Sequence, residues 1–267
     1  MIPKIIHYCW FGGNEKPKLF KKCYKSWKKY CPDYEIIEWN ESNFDLSVCP
    51  LYVRQAYEAK KWAFVTDYVR LKVVFENGGI YLDTDVELKK SFDELLNYDA
   101  FFGFENKEYI ATGLGFGAKK KVSILGELMK KYDNVTFVKE DGTYDLTTCP
   151  IRDTRVFVRR GLILDGTKQV IDNGVLVLPS EYLCPLDYNT GKKNVTTKTI
   201  AIHWFNASWF SNDDIQKRRA ILKRSRENKR REKLDMIKHI PNKVLQNIIG
   251  NTLYEKLKKA IKKGYID

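Results

Sequence analysis

Two aspartates one residue apart, Asp83 and Asp85, follow the apolar run Ile80–Leu82. Such a run predicts a buried strand, and ligands of open α/β sheets bind at the carboxyl ends of strands. Residues two apart in an extended segment point to the same side. Two carboxylates held this way repel each other unless a cation lies beside them, and oxygen ligands suit Mn²⁺ or Mg²⁺. A solvated turn after a strand is the alternative interpretation.

The segment before this strand contains a second charged pair. Trp62–Glu76 is predicted to form a helix that is apolar on almost every side. Asp67 and Arg70 stand three residues apart in it and therefore share one face. On a solvated helix they would form a surface ion pair of little value. In an apolar helix that leads into an acidic strand end, we expect them to be partly buried and to line a polar pocket.

The elements that would position these residues alternate between strand and helix. Predicted strands cover Ile2–Trp10, Tyr34–Asn40 and Ile80–Asp83, and predicted helices cover Pro17–Tyr30 and Trp62–Glu76. This alternation predicts an α/β fold with a mainly parallel sheet and helices on its faces. Beyond Asp85 the pattern loosens into short elements. They are a strand at Phe101–Phe104, a glycine-rich loop or strand pair at Ile110–Ala118, a helix at Ile124–Tyr132, and segments at Val156–Leu164, Gly174–Leu178 and Ile200–Trp209.

Positive charge is concentrated at the C-terminal end. Residues 215–267 contain 17 Lys and Arg against 5 Asp and Glu, a balance of +12, so the other residues account for +1 of the net +13. We therefore divide the chain into a domain at 1–212 and a basic, amphipathic helical extension at 213–267. Such a helix suits an anionic membrane surface, although a subunit contact or a solvated extension is also open. The near-neutral part carries no nucleic-acid-binding motif.

Other features of the composition are consistent with a cytoplasmic protein. The six cysteines are scattered without a CxxC pair, which favours reduced thiols. The N-terminal residues lack the features of a signal peptide, and no apolar stretch is long enough to span a membrane.

Three stretches together resemble the DXD-sugar family of glycosyltransferases. They are IPKIIHYCWFGG, AFVTDYVRLKVVFENGGIYLDTDVEL and IHWFNASW, and the resemblance extends from Ile2 to Trp209. This family includes capsular polysaccharide transferases and, more distantly, the glucosylating clostridial toxins. Membership implies a GT-A (Rossmann-like) fold, a UDP-linked sugar donor, a divalent metal and retention of anomeric configuration.

The resemblance also implies roles for individual residues. Trp10, which precedes a Gly-Gly loop, would stack on the uracil, although an aromatic there could also be a core residue. Asp67 would bind sugar hydroxyls and Arg70 the donor sugar or the diphosphate. Asp83 would hold ribose and sugar, and Asp85 would coordinate the metal directly.

The C-terminal side of the site follows from the third stretch. His203 would be a late metal ligand, with a core histidine as the alternative, and Ser208 and Trp209 would complete the metal and diphosphate pocket. Asp153 is a nominee for the sugar cleft, but we expect a solvated loop acid between Arg152 and Arg155. The glycines of Thr112–Gly115 are expected to border the acceptor.

The implied activity is hexose transfer, of galactose or glucose type, from a UDP-sugar to a glycan or lipid-linked glycan of a bacterial capsule or surface polysaccharide. The enzyme would work with Mn²⁺ or Mg²⁺ as a peripheral protein at the inner face of the membrane. Two other classes remain: a metal-dependent nucleotide-sugar hydrolase that uses Asp83 and Asp85, and a basic nucleic-acid-binding module.

Overall fold

The structure is a computed structural model. It describes residues 1–206 and the single helical residues 216, 220, 223, 224 and 227. Residues 1–187 and 192–206 lie in one compact unit, which contains every element described below. Residues 188–191 lie in a second unit. Most of the predicted extension at 213–267 lies outside the described residues, so its amphipathic character and its boundary stay predictions.

Nine strands and six α-helices make up this unit. The strands are β1 (Ile5–Cys9), β2 (Glu35–Trp39), β3 (Gly79–Tyr81), β4 (Val86–Leu88), β5 (Ala100–Gly103), β6 (Phe116–Ala118), β7 (Gln169–Ile171), β8 (Val175–Leu178) and β9 (Ala201–His203). The helices are α1 (Lys18–Tyr30), α2 (Leu51–Glu58), α3 (Trp62–Asn77), α4 (Ser123–Met129), α5 (Cys149–Arg159) and α6 (Ser180–Leu183).

Seven strands form one sheet in the order β2-β1-β3-β6-β5-β8-β7, and β4 and β9 form a separate antiparallel pair. Strands β2, β1, β3, β5 and β8 run in one direction, whereas β6 and β7 run antiparallel to their neighbours. The prediction of an α/β fold with a mixed, mainly parallel sheet and flanking helices is therefore confirmed.

Alternate side chains along the strands point into two apolar layers, one on each face of the sheet. Phe101 and Leu176 pack in the layer that contains α1, whereas Phe102 and Val177 pack in the layer that contains α2 to α5. This division follows from the period of two in a strand, and runs that are apolar on both sides mark strands buried on both faces.

Helix α3 is the central helix of its layer and leads directly into the acidic turn. Nine of its sixteen residues are buried, including the charged Asp67 and Arg70, so the expected burial of this pair is confirmed. Gly78 ends the helix at φ +70°, a conformation that favours glycine. The next residue, Gly79, begins β3, and a side chain there would meet the carbonyl oxygen of Ile5 at 2.8 Å.

Two predictions about elements are wrong. Strand β3 ends at Tyr81 rather than Asp83, because Leu82 already leads into the turn that joins β3 to β4. Only the first four residues of the predicted element at Val156–Leu164 lie in a helix, because α5 begins earlier, at Cys149, with Pro150 in its first turn, and ends at Arg159. All six cysteines are free thiols. Within the described part of the chain, no helix is long and apolar enough to cross a membrane.

Candidate metal centre and its surroundings

The turn between β3 and β4 brings three potential metal ligands together. Asp83 and Asp85 lie in this turn, and the pairing of Val86 with His203 places the end of β9 beside it. One ligand atom from each of Asp83, Asp85 and His203 lies within 4.8 Å of the others. The structure thus joins residues that are far apart in the sequence. Although the turn is not extended as predicted, the two carboxylates still converge.

Asp85 is the anchor of this group. Its Oδ1 lies 3.2 Å from Nε2 of His203, and its Oδ2 accepts a 2.6 Å hydrogen bond from the backbone N–H of Asn206. Burial alone would raise the pKa of Asp85, but the facing imidazole and the backbone donor outweigh it and lower the pKa. Burial would likewise lower the pKa of His203, yet the neighbouring carboxylates raise it.

The donor set fits a hard divalent ion. Nδ1 of His203 is buried and has no hydrogen-bond partner, so one nitrogen of this imidazole is uncommitted. Asp83 keeps 25% of its side-chain surface exposed, which leaves a carboxylate reachable from solvent. Two carboxylates and one imidazole are a ligand set that Mn²⁺ accepts readily. His203 is therefore near the acidic pair as predicted, and the core-histidine alternative does not account for its free nitrogen.

Arg70 connects this group to helix α3. Its Nη2 lies 3.0 Å from Asp67 and 3.3 Å from Asp83, and its Nε donates to the backbone oxygen of Thr66. Only 3% of Arg70 is exposed, and its guanidinium lies 5.2 Å from the centre of the Tyr81 ring. The pair is therefore a buried ion pair, and the surface alternative for Asp67 and Arg70 is wrong.

Burial dominates the titration of the carboxylates around Arg70. It raises the pKa of Asp67 to about 6, although Arg70 lowers it in part. The pKa of Asp83 is also raised, first by burial and then by Asp85, again against the pull of Arg70. One guanidinium does not fully compensate these acids, so the cluster favours a further cation.

Sequence reasoning missed a buried hydrogen bond behind this cluster, between Thr112 and Asp153. Asp153 lies in α5 with 1% of its surface exposed and accepts a 2.9 Å hydrogen bond from the hydroxyl of Thr112. The expectation of a solvated loop acid is wrong, because Thr112 supplies the partner that lets the carboxylate be buried. Burial raises the pKa of Asp153 to about 7. The helix-start signal was Pro150 soon after Thr148.

Gly113, the residue after Thr112, lies against the carboxylate of Asp83 and the guanidinium of Arg70. A Cβ at this position would lie 2.8 Å from Oδ2 of Asp83 and 2.9 Å from Nη1 of Arg70. Thr112–Leu114 is fully buried. The expectation that glycine here leaves room for a glycan is therefore wrong, because Asp83 and Arg70 occupy that space. The segment supports the cluster instead.

Cys149 is a further neighbour that the sequence did not single out. Its Sγ lies 3.9 Å from Nη1 of Arg70, at the start of α5. Burial and the adjacent carboxylates raise the pKa of its thiol. The thiol is therefore a neutral contact of the cluster rather than a nucleophile.

Trp10 lies just beyond β1, at the same edge of the sheet as Asp83. The parallel pairing of β1 and β3 aligns His7 with Tyr81, and both segments then continue past the end of the sheet. The indole of Trp10 is half-buried, donates to the backbone oxygen of Asn14 and packs against Phe20. Part of its surface is thus open to a ligand. Ser208 and Trp209 lie outside the described residues, so their predicted roles stay predictions.

Comparisons with known proteins agree with the acidic motif. Residues 17–102 match the family model described as the glycosyltransferase sugar-binding region containing the DXD motif. An uncharacterized glycosyltransferase of Acanthamoeba polyphaga mimivirus is 25% identical over 78% of this chain and 84% of its own length. Inositol phosphoceramide mannosyltransferase 3 of Schizosaccharomyces pombe is 36% identical over 38% of this chain. The match covers 29% of that yeast protein, so this chain corresponds to less than a third of its length.

Two solved structures show a weaker likeness to this chain. PaToxG glycosyltransferase gives a TM-score of 0.46 with 18% identity over 59% of this chain and 69% of its own. A glycosyltransferase involved in glycosylation of the major capsid of PBCV-1 gives 0.42 with 13% identity over 84% and 100%. The family match agrees with the resemblance stated from the sequence: residues 17–102, which include Asp83 and Asp85, are similar to the glycosyltransferase sugar-binding region that contains the DXD motif.

Proposed function

We propose that this protein is a metal-dependent, retaining glycosyltransferase that moves a hexose from a UDP-sugar to a glycan or lipid-linked glycan. The observation that carries the proposal is the convergence of Asp83 and Asp85, which lie within the matched region 17–102, with His203 beside the buried Arg70–Asp67 pair. This arrangement offers a cation site and a cationic side chain next to each other, as cleavage of a sugar–diphosphate bond requires.

Asp85, Asp83 and His203 would hold Mn²⁺ or Mg²⁺. Such an ion stabilises negative charge on a diphosphate leaving group. Arg70, fixed by Asp67 and the Thr66 carbonyl, adds a positive charge that needs no reorganisation when the bond breaks. Asp67 would accept hydrogen bonds from sugar hydroxyls, and Trp10 would stack on the base.

Retention is what the family resemblance implies, and the carboxylates near the cluster bear on how it would be achieved. Asp67, Asp83 and Asp153 are each engaged by Arg70 or Thr112, which leaves none of these three free as a nucleophile. We therefore propose front-face attack by the acceptor hydroxyl, with the leaving phosphate as the base. Ser208 and Trp209 would close the diphosphate end of the pocket.

The acceptor is proposed to be a surface or capsular glycan precursor at the inner face of the membrane, where the basic extension at 213–267 would hold the enzyme. By their names, inositol phosphoceramide mannosyltransferase 3 acts on a phosphoceramide lipid, and a relative from Candida albicans is an initiation-specific alpha-1,6-mannosyltransferase. These names support a lipid-linked acceptor and add mannose to the galactose or glucose type as a donor sugar to test.

A donor screen tests the proposal. Purified protein is incubated with Mn²⁺ and UDP-galactose, UDP-glucose, UDP-N-acetylglucosamine or GDP-mannose, and release of nucleotide diphosphate is measured with and without a glycan acceptor. We expect Mn²⁺-dependent turnover of one donor that rises when acceptor is present. Turnover that never responds to any acceptor would favour the nucleotide-sugar hydrolase. Binding of nucleic acid without turnover of any donor would favour the basic binding module.

A further inference from the structure

Helix α1 carries a continuous row of lysines on its outer face. The row, here called the α1 lysine stripe, comprises Lys18, Lys21, Lys22, Lys25, Lys28 and Lys29, and all six are exposed. Their spacing of three and four residues places them on one side of the helix. Phe20, Cys23 and Trp27 on the opposite side are buried in the core. The helix is thus fixed to the unit by its apolar face, and its thirteen residues extend about 20 Å.

Acidic residues balance little of this charge. Helix α1 itself contains no Asp or Glu. Lys22 pairs with Glu87 at 2.6 Å, whereas Lys21 approaches Glu15 only to 3.6 Å in an exposed pair. Within the part of the chain that the structure describes, no ion pair involves Lys18 or Lys25.

The stripe reduces the stability of its own helix. Lys18 and Lys22, Lys21 and Lys25, and Lys25 and Lys29 are like charges four residues apart, which repel on a helix surface. The lysines of the first turn also oppose the positive end of the helix dipole, and Pro17 provides no side-chain cap. Lys28 and Lys29 in the last turn suit the negative end of the dipole, but helix stability does not explain the lysines of the first two turns.

The stripe runs close to the candidate site. Its helix begins beside the base-binding candidate, since the rings of Trp10 and Phe20 are 6.1 Å apart. The amino group of Lys22 lies 4.6 Å from the ring of Trp204, the residue that follows His203. Lys193 lies 4.1 Å from the same ring and adds positive charge there. A polyanion that bound the stripe would therefore lie next to the mouth of the site.

We propose that the α1 lysine stripe is a docking surface for an anionic lipid bilayer. The proposal rests on the proposed function for the choice of a membrane among polyanions. A straight row of amines on a rigidly packed helix fits a planar anionic surface, where each lysine adds attraction that salt screens. Recognition of single-stranded nucleic acid would call for exposed aromatic rings, but Tyr24 and Tyr30 are half-buried, with Lys28 and Lys29 over their rings at 4.8 Å and 5.0 Å.

The test compares two full-length variants that lose the same charge. The stripe variant carries Lys18→Gln, Lys21→Gln, Lys25→Gln and Lys28→Gln. The control carries the same change at four exposed lysines elsewhere: Lys107, Lys120, Lys130 and Lys139. Each is sedimented with vesicles of phosphatidylcholine alone or mixed with phosphatidylglycerol. The basic residues beyond 212 remain in both variants, so their contribution is common.

We expect the stripe variant to bind anionic vesicles about tenfold or more weakly than wild type, and the control to stay close to wild type. Equal loss in both variants would overturn the proposal, because net charge alone would then explain binding. It would also be overturned if the stripe variant kept vesicle binding and lost only binding to duplex RNA. Donor hydrolysis without vesicles should be unchanged in both variants. If wild type hydrolyses no donor, the proposed function fails while the vesicle result still decides the docking surface.

A single substitution, Lys25→Glu, tests the conflict between stability and binding. The new carboxylate would have Lys21 and Lys29 four residues away on either side, so the unfolding temperature should rise. Vesicle binding should fall below that of Lys25→Gln. A lower unfolding temperature, or stabilisation with full vesicle binding, would contradict the inference that binding sets the charge of this helix.

Discussion

Around Arg70, the carboxylates of Asp67 and Asp83 share one buried guanidinium. Along α1, six lysines face solvent, and in the part of the chain that the structure describes only Lys22 and, at 3.6 Å, Lys21 pair with an acidic side chain. Both regions carry unbalanced charge, but the physical setting differs. Exposed charges are hydrated and screened, so imbalance on α1 has a small effect on stability. Buried charges lose hydration, and each unpaired one is expensive. The charge imbalance at the cluster is therefore a reason to propose a bound cation there, and the charge imbalance on the helix is a reason to propose contact with an anionic membrane surface.

The largest effect should come from the acidic pair itself. Asp85→Asn removes the carboxylate that contacts His203 and Asn206, so Mn²⁺ should bind poorly and turnover should fall by more than about a hundredfold. Calorimetric titration of UDP with and without Mn²⁺ measures this. Asp99→Asn, at an exposed acid paired with Lys119, is the control and should bind normally. Unchanged Mn²⁺-dependent UDP binding in Asp85→Asn would contradict the assignment. His203→Ala should act in the same direction but less strongly, since water can replace an imidazole.

Arg70→Ala should come next, because it leaves the buried Asp67 and Asp83 without their shared cation. Breaking one side of a buried ion pair typically costs about 3–5 kcal/mol. Turnover should fall more than affinity for UDP alone, since we place Arg70 at the sugar end of the donor. Equilibrium unfolding and UDP titration separate the two effects. Weaker UDP binding with normal turnover of bound donor would show that Arg70 acts at the other end of the ligand.

A smaller effect is expected from loss of the hydrogen bond between Thr112 and Asp153. Thr112→Val removes the hydroxyl that donates to Asp153, and an unmet buried hydrogen bond costs about 1–3 kcal/mol. Thr199→Val is the matched control, because the Thr199 hydroxyl is equally buried and donates to the Glu181 carbonyl away from the cluster. Both variants should lose stability, but only Thr112→Val should also lower turnover, and Thr112→Ser should restore it. Equal turnover in the two valine variants would show that this hydrogen bond contributes to stability alone.

The last prediction concerns the dependence of stability on pH, with no change in turnover expected. The folded protein holds a proton on Asp153 up to about pH 7, whereas an unfolded chain releases it near 3.8. Wild type should therefore lose stability relative to Asp153→Asn as the pH rises through this window, and the difference should level off above it. Chemical denaturation of both proteins at about pH 4.5 and about pH 8 measures the change. Asp141→Asn should show almost no change between these two pH values, because hydrogen bonds from Thr143 lower the pKa of Asp141, so the carboxylate is ionised in both the folded and the unfolded chain over this range. For Asp153→Asn, a difference that is constant with pH would place the titration elsewhere.

The sequence predicts the first half of this unit well, because its signals are local. The apolar periodicity of α1 and α3, the glycines after α3 and the acidic pair can each be read within a few residues. The strand end was misplaced at Asp83 because an apolar run does not reveal where the ladder of hydrogen bonds stops. The ion pair between Arg70 and Asp67 was predictable from spacing alone.

What could not be predicted depends on contacts between distant segments. Asp153 stands among arginines in a stretch without apolar periodicity, so it looked solvated, yet Thr112, 41 residues earlier, provides its partner. His203 was placed near the acidic pair only by resemblance. The antiparallel pairing of β4 and β9 is the physical reason for its position, and two three-residue strands leave little signal in a sequence.

That short pairing of β4 with β9 also sets an order of events during synthesis. A ribosome that has released the chain only as far as residue 200 has already delivered Asp67, Arg70, Asp83 and Asp85, but not the imidazole of His203. The two strands are separated by more than a hundred residues, so their contact forms late and has the largest loop-closure entropy cost among the contacts of the site. A nascent or truncated chain would thus hold the two aspartates of the candidate ion site without the histidine.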